Sequence, residues 1–178
     1  QIRIEAQRNI ISVLETEVFG NELILSYKKN VRDHDGMRIY LNVPDLDYLN
    51  ITGSGNIYCE ELSSQSMVLR ISGSGNIELA DLNLSELSCD IPGSGNIYLS
   101  GSDTVSFMDI SISGSGDINA FELPASSVEV QISGSGLCKI WAIDFLDVNI
   151  SGSGVVYYTG NPVIQQIITG SGRIIPWY

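Results

Sequence analysis

The tripeptide Gly-Ser-Gly occurs seven times in this chain, beginning at Gly53, Gly73, Gly93, Gly114, Gly134, Gly152 and Gly170, at spacings of 20, 20, 21, 20, 18 and 18 residues. A unit this short cannot bury its own apolar face and is stable only when stacked on its copies. The residues around each tripeptide say how it stacks. Ile stands two positions before every first Gly: Ile51, Ile71, Ile91, Ile112, Ile132, Ile150 and Ile168. Four positions before stand Leu49, Leu69, Cys89, Ile110, Val130, Val148 and Gln166, and four after stand Ile57, Ile77, Ile97, Ile118, Cys138, Val156 and Ile174. Six after come Cys59, Leu79, Leu99, Ala120, Ile140, Tyr158 and Pro176. Apolar residues at every second position mark strands. The expectation is an all-β fold: a single parallel β-solenoid of about seven rungs of 18–21 residues, spanning 44–178, each strand pairing with its copy above and below. At one strand spacing per rung it would be roughly 34 Å long.

The corner has its own chemistry. Gly-Ser-Gly allows unusual backbone angles and lets stacked backbones approach closely. The Ser between the glycines can hydrogen-bond to its copies. Asn56, Asn76 and Asn96, then Asp117, follow the corner on successive rungs, and stacked amides form ladders of hydrogen bonds. The expected structural ladder is therefore Gly53, Gly55, Asn56, Gly73, Gly75, Asn76, Gly93, Gly95, Asn96, Gly114, Gly116 and Asp117. It runs out at Leu137, Val155 and Arg173.

Residues 1–43 lack the motif but are rich in strand patterns. Asn21–Tyr27 and Met37–Val43 alternate around the polar run 28–36, which reads as a hairpin. Solenoid ends expose open edges and need covering, so residues 1–43 are read as an N-terminal strand-rich cap of the same domain. The tail Arg173–Tyr178 is expected to cover the other end.

The net charge of −12 is not evenly spread. Residues 44–178 hold three basic and fifteen acidic side chains, which accounts for all of it. Such a surface repels phosphate backbones and argues against nucleic acid as a partner. No run of 18 apolar residues is present to make a membrane-spanning helix. The three cysteines, Cys59, Cys89 and Cys138, have neither metal-ligand nor disulfide-framework spacing. They fall in inward columns, as buried inert thiols do. His34, the only histidine, lies between Asp33 and Asp35 and is read as a solvated loop residue.

The repeated strings Ile71–Ile77 and Ile112–Ile118 resemble those of the bacterial family called putative autotransporter adhesin, head GIN domain. Val43-Pro44-Asp45-Leu46 before the first repeat and Tyr157-Tyr158-Thr159-Gly160-Asn161-Pro162 before the last carry the same likeness. The resemblance implies a right-handed, pectin-lyase-like β-helix in an extracytoplasmic protein of Bacteroidetes-type bacteria. The place implied is the outer membrane surface or periplasm, with membrane contact only through a lipid anchor outside this chain. It supplies no catalytic residues. The sequence departs from the family pattern at Pro92, Leu137, Val155 and Arg173.

Three catalytic or metal-binding chemistries occur on solenoids of this kind, and each makes demands on the residues. A polysaccharide lyase needs clustered cations and a base, and a hydrolase a carboxylate pair. The solenoid offers only Arg70, Lys139 and Arg173, on separate rungs, and no carboxylate pair is singled out. An acyltransferase of the left-handed helix type needs 18-residue rungs and a catalytic His, whereas four of the six spacings differ and His34 lies outside the repeats. A calcium β-roll uses Asp-bearing nonapeptides twice per coil, whereas here each rung has one turn, mostly with Asn. The expectation is thus no enzyme and no cofactor. One outward column places Asp109, Glu129 and Asp147 on consecutive rungs; either solvent screens them or a cation such as Ca²⁺ sits there. A second set of outward columns brings Phe121, Leu137, Trp141, Val155, Tyr157, Ile175 and Trp177 to one face as an apolar patch. The readings of that patch are a surface ligand (a glycan or a host or matrix protein), a homo-oligomer contact, or a small core closed by the tail.

Overall fold

Apolar residues on alternate positions, repeated at near-constant spacing, have one way to leave water together: each strand lies in register on its copy, and the alternate side chains fill the space between two sheets. The computed structural model, which describes residues 1–29, 31 and 36–178, has this arrangement. The protein is 62% strand and 2% helix, with a parallel β-solenoid of about six turns. Two compact units divide between Pro44 and Asp45.

In the second unit the strands before each corner are β5 (Tyr48–Ile51), β7 (Leu62–Ile71), β9 (Leu82–Ile91), β11 (Val105–Ile112), the second halves of β12 (Ile118–Ile132) and β13 (Leu137–Ile150), and β15 (Val163–Ile168). Those after the corner are β6 (Ile57–Cys59), β8 (Asn76–Leu79), β10 (Asn96–Ser100), the first halves of β12 and β13, β14 (Val155–Thr159) and β16 (Arg173–Pro176). All neighbouring pairs are parallel. The registers follow the repeat: Ile57 lies on Ile77 and Ile77 on Ile97, while Ile91 lies on Ile112 and Ile112 on Ile132. The inward columns form one continuous core from Ile51 to Val156, with no buried polar or charged residue among those described. Cys89 and Cys138 belong to it, and burial pushes both thiols well above their ordinary pKa. Cys59, on the first rung, is half-buried, and its Sγ donates to the Glu61 carbonyl at 3.2 Å.

The corners stack through backbone. The N–H of each middle Ser donates to the first Gly carbonyl of the preceding rung, from Ser74 to Gly53 at 2.9 Å through Ser171 to Gly152 at 3.0 Å. The Ser hydroxyl expected to make this link is not used for it. None of the corner glycines has a φ in the left-handed region among the described residues. Their requirement is steric, since a Cβ on Gly95 would lie 1.9 Å from the carbonyl oxygen of Gly75. The Asn ladder forms as read. Asn56 Oδ1 accepts the Asn76 backbone N–H at 2.9 Å and its amide at 3.1 Å, and Asn76 Oδ1 does the same for Asn96 at 3.2 and 3.0 Å. Asn96 Oδ1 then accepts from Asp117 N–H, and Asp117 Oδ1 from Leu137 N–H. Leu137 has no acceptor to pass on, so the next N–H, of Val155, turns to the Gly136 carbonyl at 3.2 Å, and that of Arg173 to the Gly154 carbonyl. The change of acceptor coincides with the shortening of the spacing to 18.

Two expectations are corrected. The tail is not a lid: β16 pairs in parallel with β14, and Trp177 N–H donates to the Tyr158 carbonyl at 2.7 Å, because Ile174 continues the inward alternation. The hairpin is also assembled differently. In the first unit β2 (Leu14–Phe19) pairs antiparallel with β3 (Glu22–Tyr27), and β1 (Ile2–Glu5) with β4 (Arg38–Leu41). Asn21–Tyr27 therefore pairs backwards in the chain rather than with Met37–Val43. A two-residue turn decides this, since Gly20, at φ 62°, adopts at little cost the angle that such turns demand. A single helical turn, α1 (Arg8–Ile11), joins β1 to β2. His34 lies outside the described residues.

Candidate functional site

The outward side chains after the corner come from β12, β13, β14 and β16. In-register stacking puts Asn119 beside Lys139, Lys139 beside Tyr157 and Tyr157 beside Ile175, with Leu137, Val155 and Arg173 in the adjoining column. Phe121 departs from this order. The β12–β13 register shifts between Ala120 and Pro124, so Trp141 lies beside Pro124 and Thr159 while Phe121 is carried out of the ladder. Freed in this way, the Phe121 ring reaches Trp177, with centroids 5.9 Å apart and tilted by 34°. Trp177 also meets Tyr157 edge to face at 5.7 Å. The Lys139 ammonium lies 5.9 Å from the Phe121 centroid, within range of the ring's negative face.

The structure thus brings Phe121, Tyr157 and Trp177 into one aromatic cluster with Lys139 on it. Ile175 borders the cluster beside Tyr157, and Leu137 and Val155 are half-buried next to it. Trp141 is 39% exposed but is not in ring contact with the other three; its Cδ1 lies over Gly160, 3.4 Å from where a Cβ there would be. Trp177 keeps 54% of its surface open, so the cluster is packed from within and still presents an aromatic face to solvent. Column counting found its aromatic members and could not find the register shift that selects among them. Lys139 was visible as a lone cation on its rung, and only the geometry shows which ring it serves.

The acidic column stands on the strands before the corner. Asp109 lies beside Ser88 and Glu129, and Glu129 beside Asp147. The Gln131 amide donates to Glu129 Oε1 at 3.0 Å, and Arg70 pairs with Asp90 in the neighbouring column. Among the described residues no group of three or more His, Cys, Asp and Glu side chains is placed to hold a metal ion. Burial, and then the Glu129 and Asp90 carboxylates, push the Asp109 carboxyl above its ordinary pKa, against a hydrogen bond with Ser88 that acts the other way. A raised carboxyl is protonated more readily folded than unfolded. Asp109 therefore weakens the fold as pH rises through its folded-state pKa, and contributes nothing below the ordinary carboxylate range, where both states are protonated. Asp109→Asn is expected to raise the melting temperature at neutral pH and to leave it nearly unchanged at about pH 3. A pH series of melting curves for both proteins checks the sign, and adding Ca²⁺ to the parent protein asks separately whether the column takes a cation.

Comparison with known proteins places this geometry. The family model described as putative auto-transporter adhesin, head GIN domain, matches residues 1–162. A solved putative adhesin from Bacteroides fragilis superposes with a TM-score of 0.92 at 28% identity, covering 99% of this chain and 82% of that one. A putative lipid binding protein from Parabacteroides distasonis gives 0.79 at 29% identity, covering 99% and 84%. A putative adhesin from the same species gives 0.75 at 25% identity, covering 99% and 83%. A comparison with curated proteins gave no match.

Proposed function

This chain belongs to the head GIN domain family of putative auto-transporter adhesins, and from that premise we propose that it is a non-catalytic binding module of the cell surface, held outside the cytoplasm. Its contact surface is the aromatic cluster of Phe121, Tyr157 and Trp177 with Lys139. The observation that carries this reading is Trp177: a tryptophan positioned by two other rings yet more than half exposed, on an otherwise acidic solenoid. Exposed apolar patches of this kind mark contacts, and pre-positioned aromatic rings lose little entropy when a partner covers them. The partner class that fits is a glycan, whose apolar ring faces stack on aromatics, or an extracellular matrix protein. Catalysis is disfavoured by the same surface. Of the three cations of the solenoid, Arg70 is committed to Asp90, and Lys139 and Arg173 stand on different strands.

A glycan and matrix-protein array, probed with and without Ca²⁺ and assayed for released product, tests the proposal. Binding without turnover is expected, weakened about tenfold or more by Trp177→Ala or Phe121→Ala. Trp141→Ala should have the smaller effect because its ring is outside the cluster. Anionic and zwitterionic lipid vesicles belong on the same array, given the name of one structural relative. Release of reducing ends or unsaturated sugars would overturn the non-catalytic reading, and retention of binding in both cluster variants would move the site elsewhere.

A further inference from the structure

The ion pairs among the described residues are Arg3 with Glu5 and Arg70 with Asp90. Lys139 has no such partner there, although its unit carries fifteen acidic side chains and three basic ones. It is half-buried, with its ammonium 5.9 Å from the centre of the Phe121 ring. The carboxylate of the preceding rung on this face, Asp117, is turned to the Leu137 N–H, which its Oδ1 accepts at 2.9 Å. The strand register sets uncharged neighbours on both sides of Lys139, Asn119 on β12 and Tyr157 on β14. Asn119 has a defined orientation. Its Oδ1 accepts the Phe121 backbone N–H at 3.4 Å, which leaves the two amide N–H groups as what it offers outward. An ammonium and an amide donor therefore stand on adjacent rungs beside aromatic rings. The three strands that carry them, β12, β13 and β14, are each paired on both sides along this face.

We propose that this site selects a pyranose bearing one carboxylate, such as a uronic acid, on an otherwise neutral glycan. The inference rests on the aromatic cluster being the contact surface and adds what that surface selects. An ionised carboxylate only accepts hydrogen bonds, and its two oxygens suit two donors. Neighbouring strands lie about 4.8 Å apart, so one carboxylate can meet Lys139 and Asn119 together. The apolar face of the sugar ring then lies toward Tyr157, next in the same column. A carboxylate on a peptide side chain would satisfy the donors but bring no flat apolar ring to the aromatics, which favours the sugar. Charge limits the number of acidic groups. Within roughly 10 Å the unpaired ammonium attracts a lone carboxylate. Farther out the net negative charge of the unit prevails, and it repels a run of carboxylates such as a polyuronate.

Amide chemical shifts of the full chain, followed while methyl glucuronoside or methyl glucoside is added, test this. The glucuronoside should bind about fivefold more tightly than the glucoside, with the largest shifts around Asn119, Lys139 and Tyr157. Lys139→Met keeps most of the apolar stem and should bring the ratio of the two affinities to about one, while Lys139→Arg should restore it. Asn119→Asp keeps an acceptor for the Phe121 N–H but sets a charge against the ligand, and should lower the ratio as well. Unchanged circular dichroism of the variants separates lost selectivity from lost fold. Equal affinities in the parent, or a preference that survives Lys139→Met, would overturn the inference and leave the aromatic contact surface standing. Shifts centred elsewhere would remove both. An acidic peptide that moves the same amides at lower concentration than the glucuronoside would assign the site to a protein carboxylate, and a parent protein that binds neither sugar would equally overturn the inference; in both cases the Trp177→Ala and Phe121→Ala variants on the array still decide the contact surface.

Discussion

Gly114→Ala is expected to cost about 3 kcal/mol or more of folding stability, or to prevent folding, whereas Gly53→Ala should stay within about 1 kcal/mol. The same residue type in the same motif gives opposite outcomes because of what lies beneath it. A Cβ on Gly114 would stand 1.8 Å from the carbonyl oxygen of Gly93 and 2.7 Å from that of Pro92. Both obstacles are backbone: the Gly93 carbonyl accepts the Ser115 N–H and the Ile91 carbonyl, one residue before Pro92, accepts the Gly114 N–H, so this stretch cannot swing aside as a flexible side chain would. A Cβ on Gly53, at the first corner, would meet nothing within 4 Å. Urea unfolding of the two variants checks this. If Gly53→Ala were as damaging as Gly114→Ala, the motif would be required for its backbone angles, which the φ values here do not support.

Ile112→Ala should destabilise by about 2–5 kcal/mol, and Ile168→Ala by about 1 kcal/mol or less, although both occupy the column two residues before a corner. Ile112 is 1% exposed and lies between Ile91 and Ile132, with its Cγ2 only 2.7 Å from where a Cβ on Gly136 would project. Deleting its side chain leaves a cavity that rigid in-register strands cannot close. Ile168 pairs with Ile150 on one side and is 38% exposed, so its loss opens no cavity. Denaturant titration followed by tryptophan emission suits the pair, because Trp141 and Trp177 are both on the later rungs. A loss on Ile168→Ala as large as that on Ile112→Ala would mean that the last rung is as enclosed as the central ones.

Stacking was legible in the sequence because a parallel solenoid aligns equivalent residues. Once Gly-Ser-Gly recurs, the partner of Ile77 has to be Ile97, and the inward columns, the buried Cys89 and Cys138 and the Asn ladder follow from counting. Counting fails where rungs stop being equivalent. Phe121 leaves its column because three residues between Ala120 and Pro124 have no counterpart in β13, and this local bulge decides which rings meet Trp177 and which tryptophan stands apart. The first unit has no repeat to count along. There, Gly20 outweighed the longer polar run as a turn signal, because two residues at the right φ close a hairpin with less lost entropy than nine. Periodicity along the chain was enough for the fold class, the registers of equivalent rungs and the identity of the core. Which of two requirements, backbone angle or close approach, makes the corners glycine, and which aromatics form a surface, emerged from the three-dimensional arrangement alone. Those depend on distances between atoms of different rungs, and a spacing along the chain does not contain them.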